Sequence, residues 1–146
     1  IQSNKTRSIS ENFHWAQTVD RLKIAQRLNE QRPSNLPPLN ICIQVNISAE
    51  ENKSGVKPDE LVAFAQDMTA LERLNLRGLM AIPEATDDKQ LQRQRFAQLR
   101  ALYLQVQALA PTIDTLSMGM SGDMEQAIGE GSTMVRIGSD VFGVRT

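Results

Sequence analysis

The sequence predicts a parallel α/β fold in which strands and helices alternate. Three observations carry this. Five strand-like segments alternate with helical ones along the whole chain. The segment Ile41-Cys-Ile-Gln-Val-Asn-Ile47 is β-branched and nearly apolar, as a parallel strand covered on both faces should be. The last two strands each run into a turn of small residues: Gly119, Ser121 and Gly122 after one, Gly138 and Ser139 after the other. An open doubly wound sheet and a βα-barrel both satisfy the alternation.

Each element has its own signals. Residues 1–10 read as a loop entering a short helix, with Ser3 or Asn4 as candidate caps. Residues 13–19 read as a strand ending at Asp20, which caps a helix over 21–31 with Leu22, Ala25 and Leu28 on one face. Arg32-Pro-Ser-Asn-Leu-Pro-Pro38 is a loop. After the strand at 41–47 comes a polar segment, 48–58. Asp59 then opens a helix whose Leu61, Phe64, Ala65, Met68 and Leu71 make a core stripe. The strand at 76–82 is stopped by Pro83, and 84–90 is a polar loop. A long helix carries Leu91 near its start and Phe96, Leu99, Tyr103, Val106 and Leu109 on one face, ending before Pro111. Residues 113–118 are a strand, 124–128 a short helix and 134–137 the last strand, with Val141 and Phe142 beginning a closing segment. Asp123 and Glu125 fall in the first turn of the 124–128 helix and read as caps, not as an acid/base pair.

Composition narrows the function. A chain of 146 residues suffices for a single domain over 1–146 with a real core. Sixteen basic against seventeen acidic residues leave a net charge of −1, which argues against a nucleic-acid footprint. No apolar run is long enough to cross a bilayer. The single Cys42 sits in an apolar run and reads as a buried thiol. A lone cysteine allows no internal disulfide and fits a reducing, cytoplasmic compartment. His14 is the only histidine, which excludes a His-based metal cluster. The chain begins at Ile1 without an initiator Met, as a processed protein or a piece of a longer one would.

The chain is organised around residues 115–139, which read strand, turn, short helix, turn, strand, turn. Small residues let backbone N–H groups approach a ligand closely. Two such turns side by side suit a phosphate, and in a βα-barrel the loops after strands 7 and 8 are the usual place for it. Ordinary glycine turns in a βαβ unit are the competing reading.

Several short strings coincide in order: Gln2-Ser-Asn-Lys5, Asn46-Ile-Ser48 with Lys53-Ser-Gly55, Arg77-Gly-Leu-Met-Ala-Ile-Pro83, Leu116-Ser-Met-Gly-Met-Ser-Gly-Asp-Met124, and Val135-Arg-Ile-Gly-Ser139 with Phe142-Gly143. Together the set resembles the pyridoxal-phosphate homeostasis protein family (YggS/PROSC), whose fold is similar to the barrel domain of alanine racemase. The resemblance covers essentially the whole chain. It implies a (β/α)8 TIM-barrel type of fold, here a partial barrel containing about strands 4–8, because a whole barrel needs roughly 200 residues or more. It also implies that the lysine bonded to the cofactor belongs to the first barrel strand, outside this chain. Lys5, Lys23, Lys53, Lys57 and Lys89 do not match its motif. Where the family often has His-Ser/Thr-Ile/Val-Asp, this chain has Gln17-Thr-Val-Asp20, so no imidazole stands there.

The resemblance implies a site for pyridoxal 5'-phosphate. Ser121 would donate its hydroxyl to the phosphate, Gly138 and Ser139 their backbone N–H groups, and Gly119 would keep the strand end open, with Met120 beside it. Ser117 would join them or, on strand alternation, face the helix layer. Arg136 would face the cofactor ring; a salt bridge to Asp123 or Asp140 is the alternative. Met80 and Ile82 would pack on the ring or serve the core. Asn4 and Lys5 would line the mouth.

The implied function is a non-catalytic cofactor handler that regulates free pyridoxal phosphate and amino-acid balance. The alternatives are a racemase-like or lyase enzyme on the same barrel, and a phosphate-binding barrel enzyme that uses no pyridoxal. Racemisation needs a base on each face of the cofactor, and the only tyrosine, Tyr103, falls mid-helix within an apolar stripe. The sequence further predicts that the piece self-associates or pairs with the segment it lacks, through unpaired edges.

Overall fold

The computed structural model describes residues 1–48, 50 and 52–146; Ala49 and Glu51, in the polar segment after the second strand, lie outside the described residues. In chain order the elements are α1 (Thr6–Asn12), β1 (Trp15–Val19), α2 (Leu22–Gln31), β2 (Leu39–Gln44), α3 (Leu61–Thr69), β3 (Leu74–Met80), α4 (Lys89–Gln107), β4 (Thr115–Ser117), α5 (Met124–Gly129) and α6 (Ser139–Phe142).

The four strands form one parallel sheet in the order β1-β2-β3-β4. That order decides between the two architectures the alternation allowed. A doubly wound sheet reverses its strand order at a switch point, and no reversal occurs among these strands. Parallel crossovers are right-handed, so an unreversed order puts every connecting helix on one face. Accordingly α2, α3 and α4 adjoin one another in turn and all touch β3. This is the barrel type of fold.

Strand alternation then sorts the side chains. Leu39, Ile41 and Ile43 of β2 and Leu74, Leu76 and Leu79 of β3 join the helix-side core. Ile24, Ala25 and Leu28 of α2 meet them there, as do Leu61, Ala65 and Met68 of α3 and Phe96, Leu99, Tyr103 and Val106 of α4. Phe64, Leu71 and Leu109 pack on that core while only partly buried. The opposite, inner face is polar at the amino ends of the strands. There Arg77 donates to both oxygens of Asp114 at 3.0 and 2.7 Å and to Asn40 at 3.2 Å, and its guanidinium lies 4.7 Å from the Trp15 ring centroid. The hydrogen bond to Arg77 is the main cause that lowers the Asp114 pKa.

Cys42 faces the same way and is fully buried; burial pushes its thiol up to about 12. Gly78 sits where β3 passes closest to β4: a Cβ there would lie 1.6 Å from the Thr115 carbonyl oxygen. The pairing of β2 with β3 shifts register at the same place, between Ile41 and Cys42.

Three sequence expectations resolve differently. The strand expected at 41–47 ends as β2 at Gln44, and Val45 continues only as a single bridge to Val56, where the polar segment folds back. The strand expected at 134–137 is held by one bridge, Met134 to Ser117, in place of a ladder. It runs beside β4 through Met118 N–H to the Met134 carbonyl at 3.1 Å and Arg136 N–H to the Gly119 carbonyl at 2.9 Å. The hydroxyls of Ser132 and Thr133 take up Leu116 backbone groups that a ladder would otherwise use. The expected caps also act elsewhere. Ser3 and Asn4 fall inside a 3-10 turn with no side-chain cap. Asp20 accepts from Gly55 N–H at 3.1 Å instead of capping α2, and Asp123 accepts from Met120 N–H at 2.7 Å instead of capping α5.

Candidate functional site

The two small-residue turns meet at the carboxyl ends of β3 and β4. Gly119 makes the first turn possible: its φ of +102° is unfavourable for any side chain, and a Cβ would lie 2.6 Å from the Ala127 Cβ. The Arg136 N–H bond to the Gly119 carbonyl then lays the second turn beside the first. Ser121 Oγ accepts from Asp140 N–H at 3.3 Å and ties the two together.

Against them opens a cleft of about 380 Å³. Met120, Ser121, Gly122, Asp123, Gly138 and Ser139 line one side, and Ile82, Pro83, Ala85, Thr86, Asp87 and Gln92 the other. Among the described residues, neither the Gly138 nor the Ser139 N–H has a protein acceptor. A Cβ added at Gly138 meets nothing within 4 Å, so the space over that backbone is open. Unpaired amides beside an open space and a serine hydroxyl form an arrangement that can receive an anion.

Ser117 and Arg136 stand behind this cleft, on the inner face of the sheet. Ser117 is fully buried and turned away from the helix layer: its hydroxyl donates to Gln17 Oε1 at 2.7 Å and accepts from Arg136 Nη1 at 2.6 Å. Arg136 Nη2 donates to the Ala81 carbonyl at 3.0 Å. Among the described residues it has no carboxylate within 4.0 Å, so neither Asp123 nor Asp140 forms the salt bridge that was the alternative. Burial lowers the Arg136 pKa, with the Asp123 charge acting in the opposite sense; a guanidinium stays charged regardless. Arg136 precedes Gly138 by two residues, and its guanidinium turns to Ser117 and the Ala81 carbonyl and does not line the cleft.

Met80 is 1% exposed and pairs in register with Ser117, whereas Ile82, just past the strand, is 48% exposed. Asn4 and Lys5 are exposed and do not line the cleft. Ile1, at the start of that segment, accepts from Arg21, just after β1, at 2.9 Å.

Two contributors escape a reading by residue type. Gln17 reaches from β1 across the inner face to Ser117 and Met134. Gln92 binds the Thr86 carbonyl at 2.6 Å and the Gly122 carbonyl at 3.5 Å, joining the two walls of the cleft. A signal for Gln92 exists: it occupies the buried stripe of α4 one turn before Phe96, where an apolar residue is expected.

The family model described as the alanine racemase N-terminal domain matches residues 1–146. A pyridoxal phosphate homeostasis protein of Pseudomonas aeruginosa is 59% identical over 145 residues, covering 99% of this chain and 62% of the relative. One of Escherichia coli is 52% identical over 145 residues, with 99% and 62% covered. The chain thus spans about 62% of the length of these curated relatives. Among solved structures, PipY of Synechococcus elongatus with PLP bound superposes with a TM-score of 0.86 at 34% identity, covering 98% of this chain and 67% of that one. Alanine racemase of Corynebacterium glutamicum, at TM-score 0.75 and 14% identity over 99% of this chain and 40% of its own, shares the fold. Because the family model takes in every residue, and the nearer likenesses are to pyridoxal phosphate homeostasis proteins, the chain belongs to the alanine racemase N-terminal domain family.

Proposed function

We propose that the protein containing this chain binds pyridoxal 5'-phosphate reversibly and serves as a cofactor handler rather than as an enzyme. One observation carries the reading: the unpaired Gly138 and Ser139 amides and the Ser121 hydroxyl line an open cleft, with the guanidinium of Arg136 held behind it on the inner face of the sheet. Both ends of the molecule then find a match. The two amides and the hydroxyl would hold the phosphate, and Arg136 would face the ring. The relatives named for pyridoxal phosphate homeostasis and the PLP-bound PipY support the choice of ligand.

The chain's own residues bind and orient. When bound, pyridoxal phosphate supplies an electrophilic aldehyde and an electron-withdrawing ring. A permanent cation at the ring nitrogen keeps that nitrogen unprotonated, which weakens the ring as an electron sink and disfavours broad amino-acid chemistry. No second base comes from Tyr103: it is 6% exposed in α4, and its hydroxyl accepts from Gln107 at 3.1 Å. The buried, unreactive Cys42 suits a reducing compartment, the cytoplasm.

The test is titration of the full-length protein with pyridoxal phosphate, followed by an assay of amino-acid turnover. Saturable binding without turnover is expected, and turnover at enzymatic rates would favour a racemase-like enzyme instead. Ser121→Ala should weaken binding by about 1–2 kcal/mol, the scale of one hydrogen bond to a charged group.

Alone, the chain should self-associate, because β1 ends the sheet with an unpaired edge. Sedimentation of a compact monomer that unfolds cooperatively would contradict this.

A further inference from the structure

Arg136 sits at one end of a hydrogen-bond chain that crosses the inner face of the sheet. Its Nη1 donates to Ser117 Oγ, that hydroxyl donates to Gln17 Oε1, and Gln17 Nε2 donates to Met134 Sδ at 3.2 Å. The bonds run one way, from guanidinium to hydroxyl to amide to thioether. They join β1 to β4 and to the segment that follows it. Each acceptor in the chain is neutral, including the Ala81 carbonyl that receives Nη2.

Neutrality is the unusual part. A half-buried arginine is ordinarily matched by a carboxylate, because an unpaired charge is costly to desolvate. A carboxylate at position 17 would orient Ser117 and Arg136 as well as an amide does. It would also cancel much of the guanidinium's field at short range. Two further groups act on Arg136 from beyond contact. Asp123, at the start of α5, is charged and works in the attractive sense; Cys42, on β2, is a neutral thiol at ordinary pH.

We propose that Gln17, acting through Ser117, is a positioning residue that fixes Arg136 against the cofactor ring while leaving its positive charge uncancelled. This rests on the reading above that the ring lies beside Arg136. The device separates two roles that an ion pair would merge: the side chain is held still, and its whole charge stays available to the ring nitrogen.

The test uses the full-length protein loaded with pyridoxal phosphate labelled with 15N in the ring, whose nitrogen chemical shift reports protonation across a pH series. Gln17→Glu is nearly isosteric and brings a negative charge to the end of the chain. The ring nitrogen should then take up its proton about one pH unit higher than in the native protein, the lower end of the shift a nearby charge produces. Gln17→Leu adds no charge and leaves Ser117 without its acceptor. It should weaken cofactor binding about fivefold, the scale of one neutral hydrogen bond. Arg136→Ala should move the nitrogen titration furthest.

An unmoved titration in Gln17→Glu, with Arg136→Ala shifting it, overturns the positioning role and leaves the cofactor reading standing. Unchanged affinity in Gln17→Leu likewise counts against it. If Arg136→Ala also leaves the nitrogen unmoved, the ring is not beside Arg136, and the proposal falls with that placement. Failure of the native protein to bind the cofactor would instead sink the function proposed above.

Discussion

Gly78→Ala should prevent the protein from folding stably, at a cost above about 4 kcal/mol, in the range reserved for severe core or backbone conflicts. The added carbon would lie 1.6 Å from the Thr115 carbonyl oxygen and 2.6 Å from its carbonyl carbon, both backbone atoms of the neighbouring strand. No rotamer change relieves such a contact. Either β3 and β4 part by well over an ångström, and lose the pairing from Gly78–Thr115 to Met80–Ser117, or the β3 backbone buckles. Because Ser117 is in that pairing, the site would go with it. Gly122→Ala is the control, since a carbon there meets nothing within 4 Å, and it should change stability by no more than about 0.5 kcal/mol. Urea unfolding of both variants in the full-length protein checks this, read as the midpoint at constant slope. A native midpoint for Gly78→Ala would mean that β3 and β4 are not packed as described.

Gly138→Val should behave in the opposite way, sparing the fold and abolishing the ligand. The position is exposed, and a Cβ there meets no atom within 4 Å, so the protein should unfold at nearly its native midpoint. The branched side chain would fill the space above the Gly138 and Ser139 amides. Binding of pyridoxal phosphate should then fall at least about a hundredfold, near 3 kcal/mol. Equilibrium titration against the native protein measures it. Should the variant bind normally, the phosphate is held elsewhere, and the cleft beside the two turns has another use.

Much of this architecture is legible in the sequence because it depends on local pattern. Apolar periodicity located α3 and α4 closely, and Pro83 and Pro111 marked real ends. The turns at 119–122 and 138–139 announced themselves through small residues. What stayed hidden depends on partners distant in sequence. Asp20 looks like a cap in isolation, yet Gly55 N–H claims its carboxylate across a separation of 35 residues. Residues 134–137 have the composition of a strand, but ladder formation depends on neighbours, and side-chain hydroxyls from Ser132 and Thr133 occupy the backbone beside them. Gln17 has no local signature at all. Its contacts with Ser117 and Met134 arise only when the sheet brings β1 opposite β4. Recognition of the family supplied Ser121, Arg136, Gly138 and Ser139 as a set; the structure adds which of them share a cleft and which stand behind it.

The unreversed strand order has a consequence for biosynthesis. Each strand pairs with the one made just before it, so the sheet can grow from its amino end as the chain leaves the ribosome, without waiting for later sequence. The bonds from Gln17 break that rule, since their partners lie 100 and 117 residues downstream. They can close only when nearly all of the chain has emerged. The contacts that steady Arg136 are therefore among the last to form on the nascent polypeptide, and a translation product halted before Met134 cannot complete them.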